Sequence, residues 1–279
     1  MAGEGQVFWF KFWGTRGSLP APRPSTNKYG GNTPCMEVRA GGKIFIFDAG
    51  SGIRSLGAHL TREFADQKLQ ATLLFSHYHW DHIHGFPFFN PAFDKGNHFV
   101  VYGEPRGSRN AKDILSGQMA MPYFPVPLDV MQAQFEFRDV GPRTTLQIGS
   151  VKIRTEALNH PGRCLSYRIE YRGKSIVYAT DTEHGFRIDE RLVRHAAGAD
   201  VLIYDAAYTD AEIRAGKKGF GHSTWREGIK VAKAAGVRKL LLFHHEPSRN
   251  DKALDAIEAT ARRSFLACSA ARENKKYTP

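Results

Sequence analysis

The sequence predicts an α+β fold made of two β-rich halves with helices on the outside. Three observations carry that reading. Short apolar runs bounded by turn residues recur along the 279-residue chain, such as Ala71-Thr72-Leu73-Leu74-Phe75 and Lys239-Leu240-Leu241-Leu242-Phe243, and runs of this length read as buried strands. Longer amphipathic stretches with helix-boundary signals fall between the later runs, so strands there alternate with helices. Hydrophobic residues at 42% and charged residues at 24% are ordinary for a globular protein, and the length suffices for an ample core.

Taken in order, the first half holds strands near 7–13, 34–40, 43–48 and 71–76, with a helix near 53–66. Two Gly-rich turns, Phe12 to Ser18 and Tyr29 to Thr33, flank a Pro-rich loop. Glycine lets backbone approach a ligand closely. Arg16 in the first turn reads equally as a phosphate contact and as a solvated side chain. The second half holds strands near 144–157, 164–171, 174–180, 200–205 and 238–243, and helices near 187–196, 210–216, 223–235 and 250–263. Ser223 or Thr224 suits the N-cap of the third of these helices, and Gly236 ends it. No short internal repeat is visible. Between the halves, residues 104–140 form a Pro- and aromatic-rich insert containing Met119, Met121, Tyr123 and Phe124. It reads as a lid, a homodimer contact or a packed surface excursion. Phe86 to Pro91 either walls a pocket or simply packs.

The chemistry concentrates in His77-Tyr78-His79-Trp80-Asp81-His82, directly after the fourth strand. His77 and His79 alternate, so on extended backbone they project to one side. Imidazoles with a carboxylate suit Zn, Mn or Fe better than Ca or Mg. A His-rich loop that binds nothing is the bland alternative. Three further strands argue against it, because each ends in a ligand type: His160 after 151–155, Asp181 after 175–179, and His244-His245 after 239–243.

This order, His-x-His-x-Asp-His followed by His, Asp and His, resembles the metallo-β-lactamase superfamily over nearly the whole chain. The resemblance implies an αββα sandwich, two mixed sheets with helices outside, spanning 1–279 as a single domain with the insert at 104–140. It implies two divalent metal ions, zinc first, with Mn or Fe fitting the same ligands. His77, His79 and His160 would bind one ion; Asp81, His82 and His244 the other; Asp181 would bridge them. His244 is preferred to His245 because it aligns with the ligand of the family's strand-Thr-His-Phe-Ser pattern. His245 then becomes a neighbour of the ligands or a substrate contact. Asp48, in Phe47-Asp48-Ala49-Gly50, would brace the ligands from behind.

The β-lactamases of the superfamily use a cysteine near the Asp181 position, whereas Cys164 sits elsewhere here. A bridging carboxylate favours a two-metal site for phosphoryl chemistry. Gly221-His222-Ser223-Thr224 resembles the phosphodiesterase branch, which includes tRNase Z-like and cyclic phosphodiesterase members. In that branch the His assists catalysis, and Asp205 matches its upstream acidic residue, which would fix the imidazole tautomer. A merely local role beside the helix N-terminus is the bland reading of His222. Asp81, His222 and Asp205 are thus the catalytic candidates, with Arg16 and His245 as substrate contacts. The expected reaction is hydrolysis of a small, cyclic phosphodiester by a metal-bridging hydroxide, the substrate being a cyclic nucleotide or a phosphoribosyl cyclic phosphate. tRNA 3′-end cleavage is the first alternative, lowered because no long Gly/Pro-rich arm for gripping tRNA is visible. A lactone or ester hydrolase follows, and a non-catalytic binding or sensor module is last.

The formal net charge of +11 would attract anionic substrates, RNA among them. It reads otherwise as a solvated surface, since Arg262, Arg263, Arg272, Lys275 and Lys276 cluster near the end of the chain. Cys35, Cys164 and Cys268 are odd in number and lack C-x-x-C spacing, which argues against a disulfide framework. Met1 to Gly5 lacks the form of a signal peptide, and no apolar stretch approaches the ~20 residues of a membrane helix. A cytoplasmic protein with no membrane partner is the expectation.

Overall fold

The computed structural model describes residues 7–279; the leader reading of Met1 to Gly5 falls outside them. The first sheet contains β1 (Phe8–Gly14), β2 (Cys35–Ala40), β3 (Lys43–Phe47), β4 (Gln70–Leu74), β5 (His98–Gly103) and β6 (Gln134–Asp139). The second contains β7 (Thr145–Ile148), β8 (Val151–Leu158), β9 (Cys164–Tyr171), β10 (Lys174–Ala179), β11 (Val201–Asp205), β12 (Lys239–Phe243) and β13 (Cys268–Ala270). A last strand, β14 (Lys276–Tyr277), returns to the first sheet beside β1. Each sheet has seven strands, ordered β14-β1-β2-β3-β4-β5-β6 and β13-β12-β11-β10-β9-β8-β7. In both, one half is antiparallel and the other parallel.

Period-two alternation in the strands builds the layers. On β3, Phe45 and Phe47 enter the core between the sheets, while Ile44 and Ile46 face the outer helices. On β12, Leu241 and Phe243 point inward and Leu240 and Leu242 outward. Ile53, Leu56 and Leu60 of α1 (Gly52–Glu63) cover the first sheet. Leu192 and Ala196 of α4 (Glu190–Ala196), Ile229 and Ala232 of α6 (Trp225–Ala234), which follows the single-turn α5 (Asp210–Glu212), and Ala261 of α7 (Asp251–Ser264) cover the second. The result is the αββα sandwich. Thr224 proves to be the N-cap of α6, its hydroxyl accepting from Glu227 N–H at 3.3 Å.

One sequence expectation needs correction. The long strand near 144–157 is a hairpin of β7 and β8, turned at Gly149 with φ +59°, a conformation that costs glycine little. The segment 104–140 carries regular structure. It supplies α3 (Ala111–Gln118) and the edge strand β6, and Ala111, Leu115, Met119, Leu128 and Met131 are buried in the outer core of the first sheet. Its Pro-rich composition conceals this short strand and helix.

The parallel arrangement positions the site. β10, β11 and β12 run the same way, and β8 joins them through two antiparallel steps. Their C-terminal ends therefore open on one edge, where open α/β sheets place their ligands. β4 brings the His77–His82 segment, including the short α2 (Trp80–Ile83), to the facing edge.

Candidate metal centre

Seven side chains converge where the two sheet edges meet. Asp181 sits at their middle, fully buried, and its two oxygens face different groups. Oδ2 lies 3.5 Å from His77 Nε2 and 3.9 Å from His160 Nε2. Oδ1 lies 3.3 Å from His82 Nε2 and 3.3 Å from His244 Nε2. His79 Nδ1 and His160 Nε2 face each other at 3.0 Å. Asp81 Oδ2 is 3.1 Å from His244 Nε2 and 3.5 Å from His82 Nε2. Three sets have donor atoms within 4.8 Å of one another: His77-His79-His160-Asp181 and Asp81-His82-Asp181-His244, which divide the seven, and Asp181-Asp205-His222-His244, which overlaps the second.

The donor set itself fits divalent ions. His77 Nε2 and His82 Nε2 are buried with no hydrogen-bond partner, although buried polar atoms are almost always paired. The other ring nitrogen is already committed on two of the histidines. His82 Nδ1–H donates to Asp48 Oδ2 at 2.9 Å, and His160 Nδ1–H to Gly221 O at 2.8 Å. Those bonds fix the tautomer and leave Nε2 free as a ligand. Burial opposes ionisation of Asp181, yet the imidazoles of His244, His82 and His77 hold its carboxyl well below the usual range. Asp48, Asp181 and His244 all adopt positive φ (+59°, +29° and +60°). Strain of this kind in non-glycine residues collects at functional sites.

Neighbouring backbone is pressed against the ligands. A Cβ on Gly17 would meet His244 Nδ1 at 2.2 Å, and one on Gly221 would meet His160 Nδ1 at 2.3 Å. Ser18 N–H donates to Asp81 Oδ2 at 2.7 Å. Glu183 accepts from Gly219 N–H at 2.9 Å and Gly221 N–H at 2.8 Å, pinning the loop that carries His222. Ser18 and Glu183 escaped the sequence reading, and no local pattern marks either.

His222 Nδ1–H donates to Asp205 Oδ2 at 2.9 Å, and the ring stacks on His244 with centroids 4.7 Å apart. Burial disfavours its charged form, but the Asp205 carboxylate outweighs that and lifts the imidazole to about 9. Asp205 is itself held by the N–H groups of Thr182 and Ala207 at 3.1 and 3.0 Å. A pocket of about 400 Å³, lined by Ser18, Tyr78, His79, Trp80, Asp81, Asp181 and His222, opens over the cluster.

Two proposed substrate contacts lie elsewhere. Arg16 is completely buried, its guanidinium bonded to Gly30 O and Arg249 O at 2.7 Å each and to Glu246 O at 3.3 Å. His245 is buried beneath the site, with Nε2–H donating to Ala271 O at 2.9 Å, and burial drives its imidazole down to about 3. The reason is the isolated bridge that pairs Arg16 with His245, next to the left-handed turn at His244. Gly17 N–H bonds His245 O, and His245 N–H bonds Thr15 O. With His244 facing the cluster, His245 and Arg16 turn inward.

The fold and the histidine-aspartate cluster define a metallohydrolase architecture, and comparison with known proteins agrees. The profile of the "Beta-lactamase superfamily domain" matches residues 44–245, so the chain belongs to that superfamily. The ribonuclease Z of Thermoplasma acidophilum is 25% identical, the match covering 86% of this chain and 87% of that protein. Among solved structures, the metallo-beta-lactamase fold protein YhfI of Bacillus subtilis superposes with a TM-score of 0.74 at 18% identity, covering 98% and 99% of the two chains. The short form of human tRNase Z gives 0.67 at 17% identity, covering 97% and 98%. Among the described residues, no helix is long and apolar enough to cross a membrane.

Proposed function

We propose that this protein is a metal-dependent phosphodiester hydrolase whose substrate is RNA, as it is for the ribonuclease Z relatives. The observation that carries the reading is Asp181, which joins the His77-His79-His160 set to the Asp81-His82-His244 set beneath a pocket that His222 also lines. His77, His79 and His160 would hold one divalent ion, Asp81, His82 and His244 the other, with Asp181 serving both; zinc suits these ligands first, and Mn or Fe also fit. When bound, such a pair supplies Lewis acidity toward phosphoryl oxygens and activates water.

The protein's own groups supply the rest. Asp48 and Gly221 O orient the ligand imidazoles. Ser18 N–H fixes the Asp81 carboxylate. Asp205 keeps a proton on His222 Nδ1, so Nε2 is the atom left to meet the substrate. Protonated there, His222 donates to the departing oxygen, as a positioned general acid does. RNA ranks above the small cyclic diester because the curated relative carries the name ribonuclease Z along almost its whole length. The pocket is of a size that ligand pockets commonly have. A cyclic nucleotide would fit it as well, which keeps that reading second.

Competition between substrates decides the order. The metal-loaded protein is offered a tRNA precursor with a 3′ extension, a cyclic nucleotide and bis(p-nitrophenyl) phosphate. Cleavage of the RNA with the highest kcat/KM is expected. Faster turnover of the cyclic nucleotide would overturn the RNA reading in favour of the second.

A further inference from the structure

Exposed aromatic rings interleaved with lysines lead outward from the site. Trp80, which lines the pocket, is 79% exposed; Phe220 is 55% exposed and Phe186 fully so. Lys218 Nζ sits 4.6 Å over the Phe186 ring. Lys217 Nζ lies 5.1 Å from the Phe220 ring and 5.6 Å from that of Tyr208. Tyr208 in turn packs edge-on against His222, centroids 5.6 Å apart. A continuous path therefore runs from the proton-donating imidazole outward to Phe186. The loop bearing Lys217, Lys218 and Phe220 is tied at Gly219 and Gly221 to Glu183, so its position relative to the cluster is set.

Largely exposed, these rings add little burial energy to the fold. Flat apolar faces beside ammonium groups are what a single-stranded polynucleotide needs. Every base has a π-face to stack, and every linkage a phosphate to pair with an ammonium. The formal charge of +11 is complementary to such a strand. We propose that Trp80, Phe186 and Phe220, with Lys217 and Lys218, form a stacking platform for the unpaired nucleotides that flank the scissile phosphodiester. The platform deepens the RNA reading above and rests on it. It would read strand flexibility and unpaired bases rather than sequence, because stacking is tolerant of base identity.

The test uses the full, metal-loaded chain and three probes: a short fluorescent oligouridylate, the same strand with abasic positions, and bis(p-nitrophenyl) phosphate. Binding is read by anisotropy and cleavage by gel. Phe186→Ala combined with Phe220→Ala should weaken oligouridylate binding about ten-fold or more, since stacking on an aromatic is worth roughly 1–3 kcal/mol per base. It should leave abasic-strand binding and bis(p-nitrophenyl) phosphate hydrolysis unchanged. Lys217→Ala with Lys218→Ala should flatten the salt dependence of binding, by about 0.7 in logarithmic slope for each lost phosphate contact. Unchanged oligouridylate binding by the Phe variant overturns the platform. So does a Phe variant that alters only self-association, which would make this face a contact between copies of the chain. The two readings fail separately: strand binding lost in the Phe variant without cleavage by the wild type removes ribonuclease activity but keeps the platform, whereas cleavage that is identical in wild type and variant does the reverse.

Discussion

At the scale of single residues, the site divides labour between adjacent side chains. His244 reaches Asp81 and Asp181, while His245 turns to Ala271 O. His244→Ala should therefore lower bound metal, whereas His245→Gln, which keeps an N–H for Ala271 O, should retain it. Elemental analysis of the two variants checks this, and equal metal contents would remove His244 from the ligand set. His222 should act on the chemical step without holding metal. His222→Ala should keep metal and fold but lower kcat by roughly 10²–10⁴-fold on RNA, the usual worth of a general acid. The loss should shrink for bis(p-nitrophenyl) phosphate, whose leaving group needs little protonation, and Asp205→Asn should give a milder form of the same defect. Equal losses on both substrates would make His222 a phosphate-positioning residue instead.

At the scale of elements, the loops after the strands work because backbone and ligand touch. Gly17 leaves no room for a Cβ beside His244, so Gly17→Ala should displace that imidazole. Reduced metal affinity in a folded protein, measured by chelator competition and circular dichroism, is the expected outcome; unaltered affinity would show that the β1 turn yields easily. On the other flank of the second sheet, His195 in α4 has Nε2 buried without a partner. Burial, then the charges of Arg168 and Arg154, lowers its imidazole to about 4. A histidine depressed in the folded state favours folding above its unfolded value of about 6.5, and that contribution is lost as pH falls through about 4. With allowance for solvent at a partly exposed side chain, the effect is on the order of 2 kcal/mol. In urea denaturation, His195→Gln should lose less stability than wild type between neutral pH and the lower end of that window. Parallel losses in the two proteins would show that His195 titrates normally.

At the scale of the whole molecule, the site depends on the two sheets being locked together. Tyr178 of β10 donates its hydroxyl across the interface to Asp48 Oδ2 at 2.8 Å, and Tyr167 of β9 donates to Phe75 O at 2.7 Å. Asp48 also takes Ser76 N–H at 2.7 Å and Ser76 Oγ–H at 2.8 Å, besides His82. One carboxylate thus joins the inter-sheet core to the ligand cluster. Tyr178→Phe removes a single donor from a charged acceptor and should cost about 2 kcal/mol of stability, while the three remaining donors keep Asp48 against His82. Asp48→Ala should lower metal affinity about 10–100-fold, as loss of a carboxylate behind a ligating histidine does. Denaturation midpoints and metal titration of the two variants separate these roles. Identical behaviour of both variants would mean that Asp48 serves only the core.

The sequence by itself determined which chemistry is present and which strands deliver it. Short apolar runs and the His or Asp residues at their ends are local properties: a strand's length and the residue that follows it are written consecutively in the chain. That is why β9 and β12, Asp181 and the His77–His82 segment were legible directly. Tertiary structure decided everything that depends on direction. The pairing of Gly17 with His245, far apart in sequence, turned Arg16 and His245 away from the pocket although both stand next to residues that touch it. The place of Asp181 among several donor sets and the bracing of the His222 loop by Glu183 are likewise set by long-range contacts. The physical reason is the same in each case. Residue type and spacing fix what a side chain can do, but its orientation in a loop is settled by hydrogen bonds to backbone from distant parts of the chain, and no local pattern records them.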